Sequence, residues 1–390
     1  MHKFEKVPHL RPLASMPAPR LGILGGGQLS KMTAAAAAKF GCEVVVLERQ
    51  DDFPAHSVDA HAIIGDWDKP EDLMQLAPLV DVVTLENEFV SPEALAFLSR
   101  QFPLWPSAET MLLVQDKLRQ KELFAATGLP VPRFADAPDR ESVRTFGYPL
   151  VLKKRRNSYD GKGNATVASE AELEAAWMAL DGDRNALYME AFCAFETELA
   201  IIVTRGRDGS IVHYPVVETL NREHICHVVK APAEIPAETA AEVADLAERA
   251  VTALNGVGSF GLETFLTRDG RVLVNEIAPR VHNTGHYTIE ACDCSQFENH
   301  VRAVLGWPLG STEMVAPAAV MVNLLGFADG PGLPRGLEEA LRVPGAHVHV
   351  YGKTRSTRGR KMGHVTVVGK NMDEVLIRAR QAADAITFGG

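Results

Sequence analysis

The chain has 390 residues, ordinary hydrophobic (46%) and charged (23%) fractions, and a formal net charge of −10, from 40 Lys and Arg against 50 Asp and Glu. That length is enough for a sizeable core in two or three domains; the negative balance excludes a general nucleic-acid or anionic-membrane binder; and no apolar run suits a signal peptide or a membrane span. Five cysteines, odd in number and without framework spacing, fit a reducing cytoplasm, and Cys292 and Cys294 lack the second pair that a zinc site needs.

Residues 1–19 carry four prolines and no periodicity, so a loose tail is expected. Residues 21–24 read as a buried strand, followed by Gly25-Gly26-Gly27, an Ala-rich helix over 28–40 and a second strand over 43–47. This β-turn-α-β unit predicts a parallel doubly wound sheet. Further strands fall at 62–64 and 80–84, and their ends carry Asp66, Glu86 and Glu88, where open α/β sheets bind ligands. The third position of a dinucleotide fingerprint is Ser30, so NAD is not favoured; the turn suits helix packing as well as ligand contact. Pro103 to Ser107 marks a boundary.

Residues 108–127 form one predicted helix carrying Gln115, Asp116 and Lys117, ended by Gly128. Strands at 149–153 and 165–168 enclose the basic loop KRRNSYDGKGN, whose glycines and cations could close over phosphates; a solvated basic loop is the alternative. Lys153 stands at the strand end, within reach of a phosphate. Glu190 and Glu198 flank an apolar link, the kind of segment against which adenine docks, although both also read as ordinary surface residues. A helix spans 237–254.

The stretch LETFLTRDGRVLVNEIAPRVHNTGHYT (262–288) follows. A type I′ turn at Asp269-Gly270 would set Arg268 against Arg271 and, counting outward, Glu263 against Glu276. Directly opposed like charges destabilise a strand pair. The pair is therefore either a solvated acidic face or a seat for a cation such as Mg²⁺, which takes one or two carboxylates plus substrate phosphates. Asn275, Arg280, His282, Asn283 and His286 gathered in the adjoining loop favour the cation. After Trp307 the chain turns strand-rich, at 318–324, 347–351 and 364–368. Lys353, Arg355, Arg358, Arg360 and Lys361 load one loop there, which suits a phosphate monoester.

From Leu21 to about Ile386 the sequence resembles the ATP-grasp superfamily, and within it the 5-(carboxyamino)imidazole ribonucleotide synthase family. The marks are GILGGGQLSKM, the TxExE of Thr84, Glu86 and Glu88, VQDKL around Lys117, YDGKG at 159–163, NEIAPRxHNTGH at 275–286 and YGKxxxxxGRKMGH at 351–364. The resemblance implies an α/β ATP-grasp fold: a Rossmann-like domain (20–115), a two-lobed ATP-grasp domain (116–306) and a small β-rich C-terminal domain (307–390). It implies ATP- and bicarbonate-dependent carboxylation of 5-aminoimidazole ribonucleotide (AIR) through carboxyphosphate, with Mg²⁺ or alternatively Mn²⁺, in a cytoplasmic homodimer linked functionally to the mutase that uses the product. Membranes and nucleic acids play no part.

By the same resemblance, ATP would meet Lys117, Lys153, the loop Ser158, Tyr159, Asp160, Gly161, Lys162, Gly163 and Asn164, the adenine-framing Glu190, Ala191, Phe192 and Cys193, and Glu198, Asn221, Asn275 and Glu276. Glu263, Asn275 and Glu276 would hold the metal. Arg280, His282 and Asn283 would hold bicarbonate, and Asp160 would accept the amine proton. AIR would lie against Gln28, Leu29, Glu86, Tyr159, Asp160, Lys353 and Arg360. Four departures from the family pattern stand out: Val281 for proline, expected to loosen the bicarbonate loop; Leu85 for an aromatic; Asn157-Ser158 for a glycine-rich pair; and Asn221 for histidine, with His224 nearby. Within the superfamily, a formate-using glycinamide ribonucleotide transformylase is the nearest alternative.

Overall fold

The computed structural model describes residues 19–58, 60–76, 78–157, 163–222 and 225–390. The expected tail, short of its last residue, therefore lies outside the described residues, as do Ser158, Tyr159, Asp160, Gly161, Lys162 and His224.

The first strands form a four-stranded parallel sheet in the order His61–Ile64, Val44–Glu48, Leu21–Leu24, Val82–Leu85. Strands that are apolar but for their C-terminal end, such as VVVLE, suit a sheet covered on both faces. One face packs under the helix Gln28–Ala38 and the other under Pro92–Gln101. The order reverses at Leu21–Leu24, so the crevice opens beside Gly25 and Glu86, as doubly wound sheets require.

The predicted single helix over 108–127 is two helices, Ala108–Gln115 and Lys117–Ala126. Asp116 breaks it. Its backbone is extended (φ −101°, ψ 103°), and its carboxylate accepts from the N–H groups of Leu118 and Arg119. Arg155 holds the same carboxylate at 2.7 Å. An Asp in this pattern is a helix start written inside an apparent helix.

A four-stranded antiparallel sheet follows, in the order Phe134–Ala137, Leu187–Ala191, Leu150–Lys154, Asn164–Val167. The largest sheet has nine strands and runs from Val272–Ala278 through Gly258–Thr267, Phe195–Arg205, Val217–Arg222 and Ile225–Ala231 into Ala318–Leu325, Lys361–Gly369 and Ala346–Val350, with Ile211–His213 beside Phe195–Arg205. Ile225–Ala231 pairs directly with Ala318–Leu325 (Val228 against Val322), so the last part of the chain extends this sheet. It also carries the helix Met372–Asp384, which the strand-dominated reading of this region did not anticipate. The helix Gln296–Leu305, ended by Gly306 at φ 75°, packs against the first domain through Phe297, Val301 and Val304. Among the described residues no helix is long and apolar enough to cross a membrane.

Candidate active site

The acidic hairpin differs from its predicted form in two ways that cancel. Thr267 N donates to Arg271 O and Gly270 N to Thr267 O, so the loop has three residues and Arg271 faces Thr267, not Arg268. Gly270 takes φ 81°, where a side chain would be strained. That shift alone would set Glu263 against Asn275. A bulge at Asn275 absorbs one residue, and Glu263 again faces Glu276. Bulges re-aim side chains beside active sites. Asn275 Oδ1 is buried and has no hydrogen-bond partner among the described residues.

The two carboxylates are electrostatically unequal. Burial, then Glu276 and Glu198, raise the Glu263 carboxyl to about 8. Burial also opposes charge on Glu276, but Lys117 at 3.1 Å and then Lys153 hold it below the usual carboxylate range. Both side chains open onto the cleft, 35% and 42% exposed, so cleft water moderates these shifts without reversing them. Burial and Arg280 keep His282 neutral. Its Nε2, 3.6 Å from Glu263 Oε1, thus meets a protonated acid, and the contact is not an ion pair. A cation placed here would displace that proton and satisfy Asn275 Oδ1, so the residues fit Mg²⁺. Among the described residues no three His, Cys, Asp or Glu side chains gather to hold a metal unaided; the remaining ligands would be phosphate oxygens and water.

Lys153 and Lys121, which act on Glu276, also hold Glu190. Its side chain is buried, with Oε2 accepting from Lys153 at 3.0 Å and Oε1 from Tyr188 at 2.9 Å, while Lys121 stands 3.2 Å from Oε1. Glu190 therefore anchors two cations. Phe192 is exposed beyond it, tied by its N–H to Pro149 O, and Ala191 N donates to Arg133 O. Cys193 lies half-buried in the same link, and Phe195 stacks on Phe265 at 4.7 Å. Asn221 donates to Glu198 from the neighbouring strand, which puts that departure from the family pattern beside the expected ribose carboxylate. Asn164 pairs with Lys153 across the base of the basic loop, and Gly163 O accepts from Lys154 N.

The loop from Arg280 to Asn283 is braced by its neighbours. Arg280 Nε donates to Glu88 at 2.8 Å, and Gln115 holds the carbonyls of Glu88 and Val90. His282 Nδ1 lies 2.9 Å from Thr284 Oγ1, and Gln296 grips both the N–H and the carbonyl of His282. Asn283 and Asn323 exchange amide hydrogen bonds. Val281, 3% exposed, is packed into the core against the first domain. Leu85 is likewise a buried core residue.

On the first domain, Glu86 accepts from the N–H groups of Gly27 and Leu29, and Glu48 from that of Gly26. A dinucleotide phosphate in this turn would meet two carboxylates. Burial raises the Glu86 carboxyl. Gln28 opens the helix beside it. Lys31 reaches across to the carbonyls of Val350 and Tyr351, bringing the basic loop of the last part of the chain over this domain. There Lys353 Nζ donates to Lys361 O and Arg360 to Arg355 O. Gln120, Lys121 and Gln296 were not picked out from the sequence, and the bracing roles of Glu88 and Gln115 were not read from it. One signal existed for two of them: Lys117, Gln120 and Lys121, at i, i+3 and i+4, put polar groups on the face that buries Phe124.

Three family models match the chain: a ribonucleotide synthetase preATP-grasp domain over residues 18–115, an ATP-grasp domain over 122–297, and a phosphoribosylaminoimidazole carboxylase C-terminal domain over 319–378. The N5-carboxyaminoimidazole ribonucleotide synthase of Synechococcus elongatus is 42% identical, the match covering 91% of each chain. The chloroplastic phosphoribosylaminoimidazole carboxylase of Vigna aconitifolia is 41% identical over 91% of this chain but only 65% of its own length, so this chain spans about two-thirds of that relative. Among solved structures, an N5-carboxyaminoimidazole synthase from Aspergillus clavatus in complex with ADP and 5-aminoimidazole ribonucleotide superposes with a TM-score of 0.86 at 35% identity, covering 94% of this chain and 98% of that one.

Proposed function

Because the chain belongs to the N5-carboxyaminoimidazole ribonucleotide synthase family of ATP-grasp ligases, we propose that its cleft holds ATP and Mg²⁺ against Glu263, Asn275 and Glu276 and carboxylates AIR at the hairpin. The reaction is that of an ADP-forming carbon–nitrogen ligase: AIR, bicarbonate and ATP give N5-carboxyaminoimidazole ribonucleotide, ADP and phosphate, in purine biosynthesis. The observation that carries the site assignment is the register of Glu263 on Glu276 across the Asn275 bulge, with Lys117 on one side and His282 on the other.

Lys117 and Lys153 supply fixed positive charge to the phosphates, and phosphoryl transfer depends chiefly on such positioning and electrostatic stabilisation. When bound, Mg²⁺ supplies Lewis-acid neutralisation of the phosphate oxygens. Arg280, oriented by Glu88, orients bicarbonate with His282 and Asn283. His282 enters as a neutral donor or acceptor, in keeping with its lowered pKa. Lys353 and Arg360 grip the AIR phosphate, Gln28, Leu29 and Glu86 face its other side, and Asp160, outside the described residues, accepts the amine proton. A role in ATP binding for the loop over 158–164, whose residues 158–162 lie outside the described residues, is carried by the family resemblance, and excluding water from carboxyphosphate is the chemistry such a loop would supply. Free thiols at Cys42, Cys193, Cys226, Cys292 and Cys294 support a reducing cytoplasm. The homodimer and the link to the mutase rest on family resemblance alone.

The test is phosphate release from ATP by the purified chain with Mg²⁺, with and without AIR and bicarbonate. Release that accelerates only when AIR is present, with carbamate formed, is expected. An equal rate without AIR, and no carbamate with it, would sink the reading.

A further inference from the structure

Lys121 is among the most buried side chains in the protein, 1% exposed. An unpaired ammonium there would cost several kcal/mol, and its surroundings show how it is satisfied. Its Nζ donates to Val274 O at 3.1 Å and stands 3.2 Å from Glu190 Oε1. The partners lie in different sheets: Glu190 in the four-stranded sheet, Val274 in the nine-stranded one. One cation therefore joins the two lobes that enclose the cleft. Its neighbour Gln120 adds a second grip, accepting from Ile277 N and donating to Ile277 O, both at 3.1 Å. The helix Lys117–Ala126 thus holds the metal strand on either side of Asn275 and Glu276.

Glu190 is the centre of this arrangement. A carboxylate offers about four acceptor positions. Lys121 and Tyr188 take those on Oε1, and Lys153 takes one on Oε2. Burial opposes its ionisation, yet Lys121 and then Lys153 hold its pKa down to about 2. Without Lys121, Glu190 would keep only Lys153 and Tyr188, and a side chain reaching for phosphate would be fixed by a carboxylate held from one lobe alone.

We propose that Lys121 is a positioning residue for ATP: it immobilises Glu190, and through it Lys153, in register with the strand that carries Asn275 and Glu276. This rests on the ATP reading above. A merely structural lysine would matter to folding alone, whereas a positioning lysine acts on nucleotide through Glu190.

The test uses the full chain with Mg²⁺ and ATP, by calorimetry and by steady-state kinetics with ATP and AIR varied in turn. Lys121→Met should weaken ATP binding by about tenfold, the factor carried by about 1.4 kcal/mol, and leave the Michaelis constant for AIR unchanged. In a double-mutant cycle with Glu190→Gln, the double variant should bind ATP no more weakly than Glu190→Gln alone, because Lys121 works through Glu190. Additive losses, or a lowered melting temperature with unchanged ATP affinity, would overturn the proposal. Should Lys121→Met fail to fold, Lys121→Gln, which keeps a donor for Val274 O but no charge, takes its place with the same expectations; failure of both to fold makes the residue structural and overturns it too. Wild-type protein that binds no ATP defeats the ATP reading itself, whereas normal wild-type binding with an unaffected variant defeats only the role of Lys121.

Discussion

Glu263 faces Glu276 across an antiparallel pair, the first raised to about 8 by burial and by its partner, the second held down by Lys117 against that same burial. A strand pair keeps opposed carboxylates at a cost, and the inequality shows where positive charge is already supplied and where it is still wanted. Lys117 serves Glu276; Glu263 retains a proton that a divalent cation would replace.

Glu276→Gln should therefore fold normally and lose turnover by roughly a hundred- to a thousandfold, as when one group stabilising developing charge is removed. Circular dichroism and phosphate-release kinetics on the purified variant check both halves. If the pair were a solvated acidic face, relieving the repulsion would leave activity intact.

The proton on Glu263 predicts a linkage between pH and metal. Its folded pKa lies above that of an unfolded glutamate, so the folded protein binds the extra proton, and metal-free stability declines as pH rises from about 4.5 towards about 8. Mg²⁺ with a non-hydrolysable ATP analogue should offset that decline. The rise in melting temperature on adding them should be larger at pH 8 than at pH 6. An equal rise at both would remove Glu263 from the metal site.

Arg360→Ala should raise the Michaelis constant for AIR by roughly ten- to a hundredfold, the loss of one charge-assisted contact, and move that for ATP far less. Arg360 now donates to Arg355 O, a backbone partner that a phosphate can replace. Kinetics with each substrate varied in turn decide. Weakened ATP binding with unchanged AIR dependence would show that the loop serves the other nucleotide.

Buried histidines set a second pH limit. Burial holds His300 down to about 4, and keeps His286 and His364 well below their ordinary value. His300 Nδ1 accepts from Ser259 N, so its proton sits on Nε2, facing Thr84 Oγ1 at 2.9 Å. Below about pH 6.5 the unfolded chain takes up protons that the folded one refuses, so stability falls as pH drops towards 4. Urea unfolding at pH 7 and pH 5 should show this loss. His300→Gln, which carries no titrating group, should have a shallower pH dependence.

Much of this architecture was legible. The apolar strands, the glycine turn and the acidic register all follow from local pattern, and Glu263 on Glu276 came out right although the loop is a residue longer than expected, because the Asn275 bulge compensates. Bulges leave no period-2 signal, so this could not be counted from the sequence. The helix break at Asp116 was hidden because its decisive partner, Arg155, is 39 residues away. The same distance problem concealed the pairing of Glu88 with Arg280 and that of Lys121 with Glu190. Residues that hold other residues in place announce themselves only once the chain has folded.

The continuity of the large sheet bears on how the chain could be shortened. Ending it at residue 306 would strip Ala318–Leu325 from Ile225–Ala231 and leave the backbone of Val228, Val229, Lys230 and Ala231 without its ladder. A raw, β-branched edge of this kind is a template for another molecule's strand. The shortened protein would tend to aggregate by edge-to-edge pairing, however well its ATP cleft were formed, and the terminal segment therefore acts also as a seal against self-association.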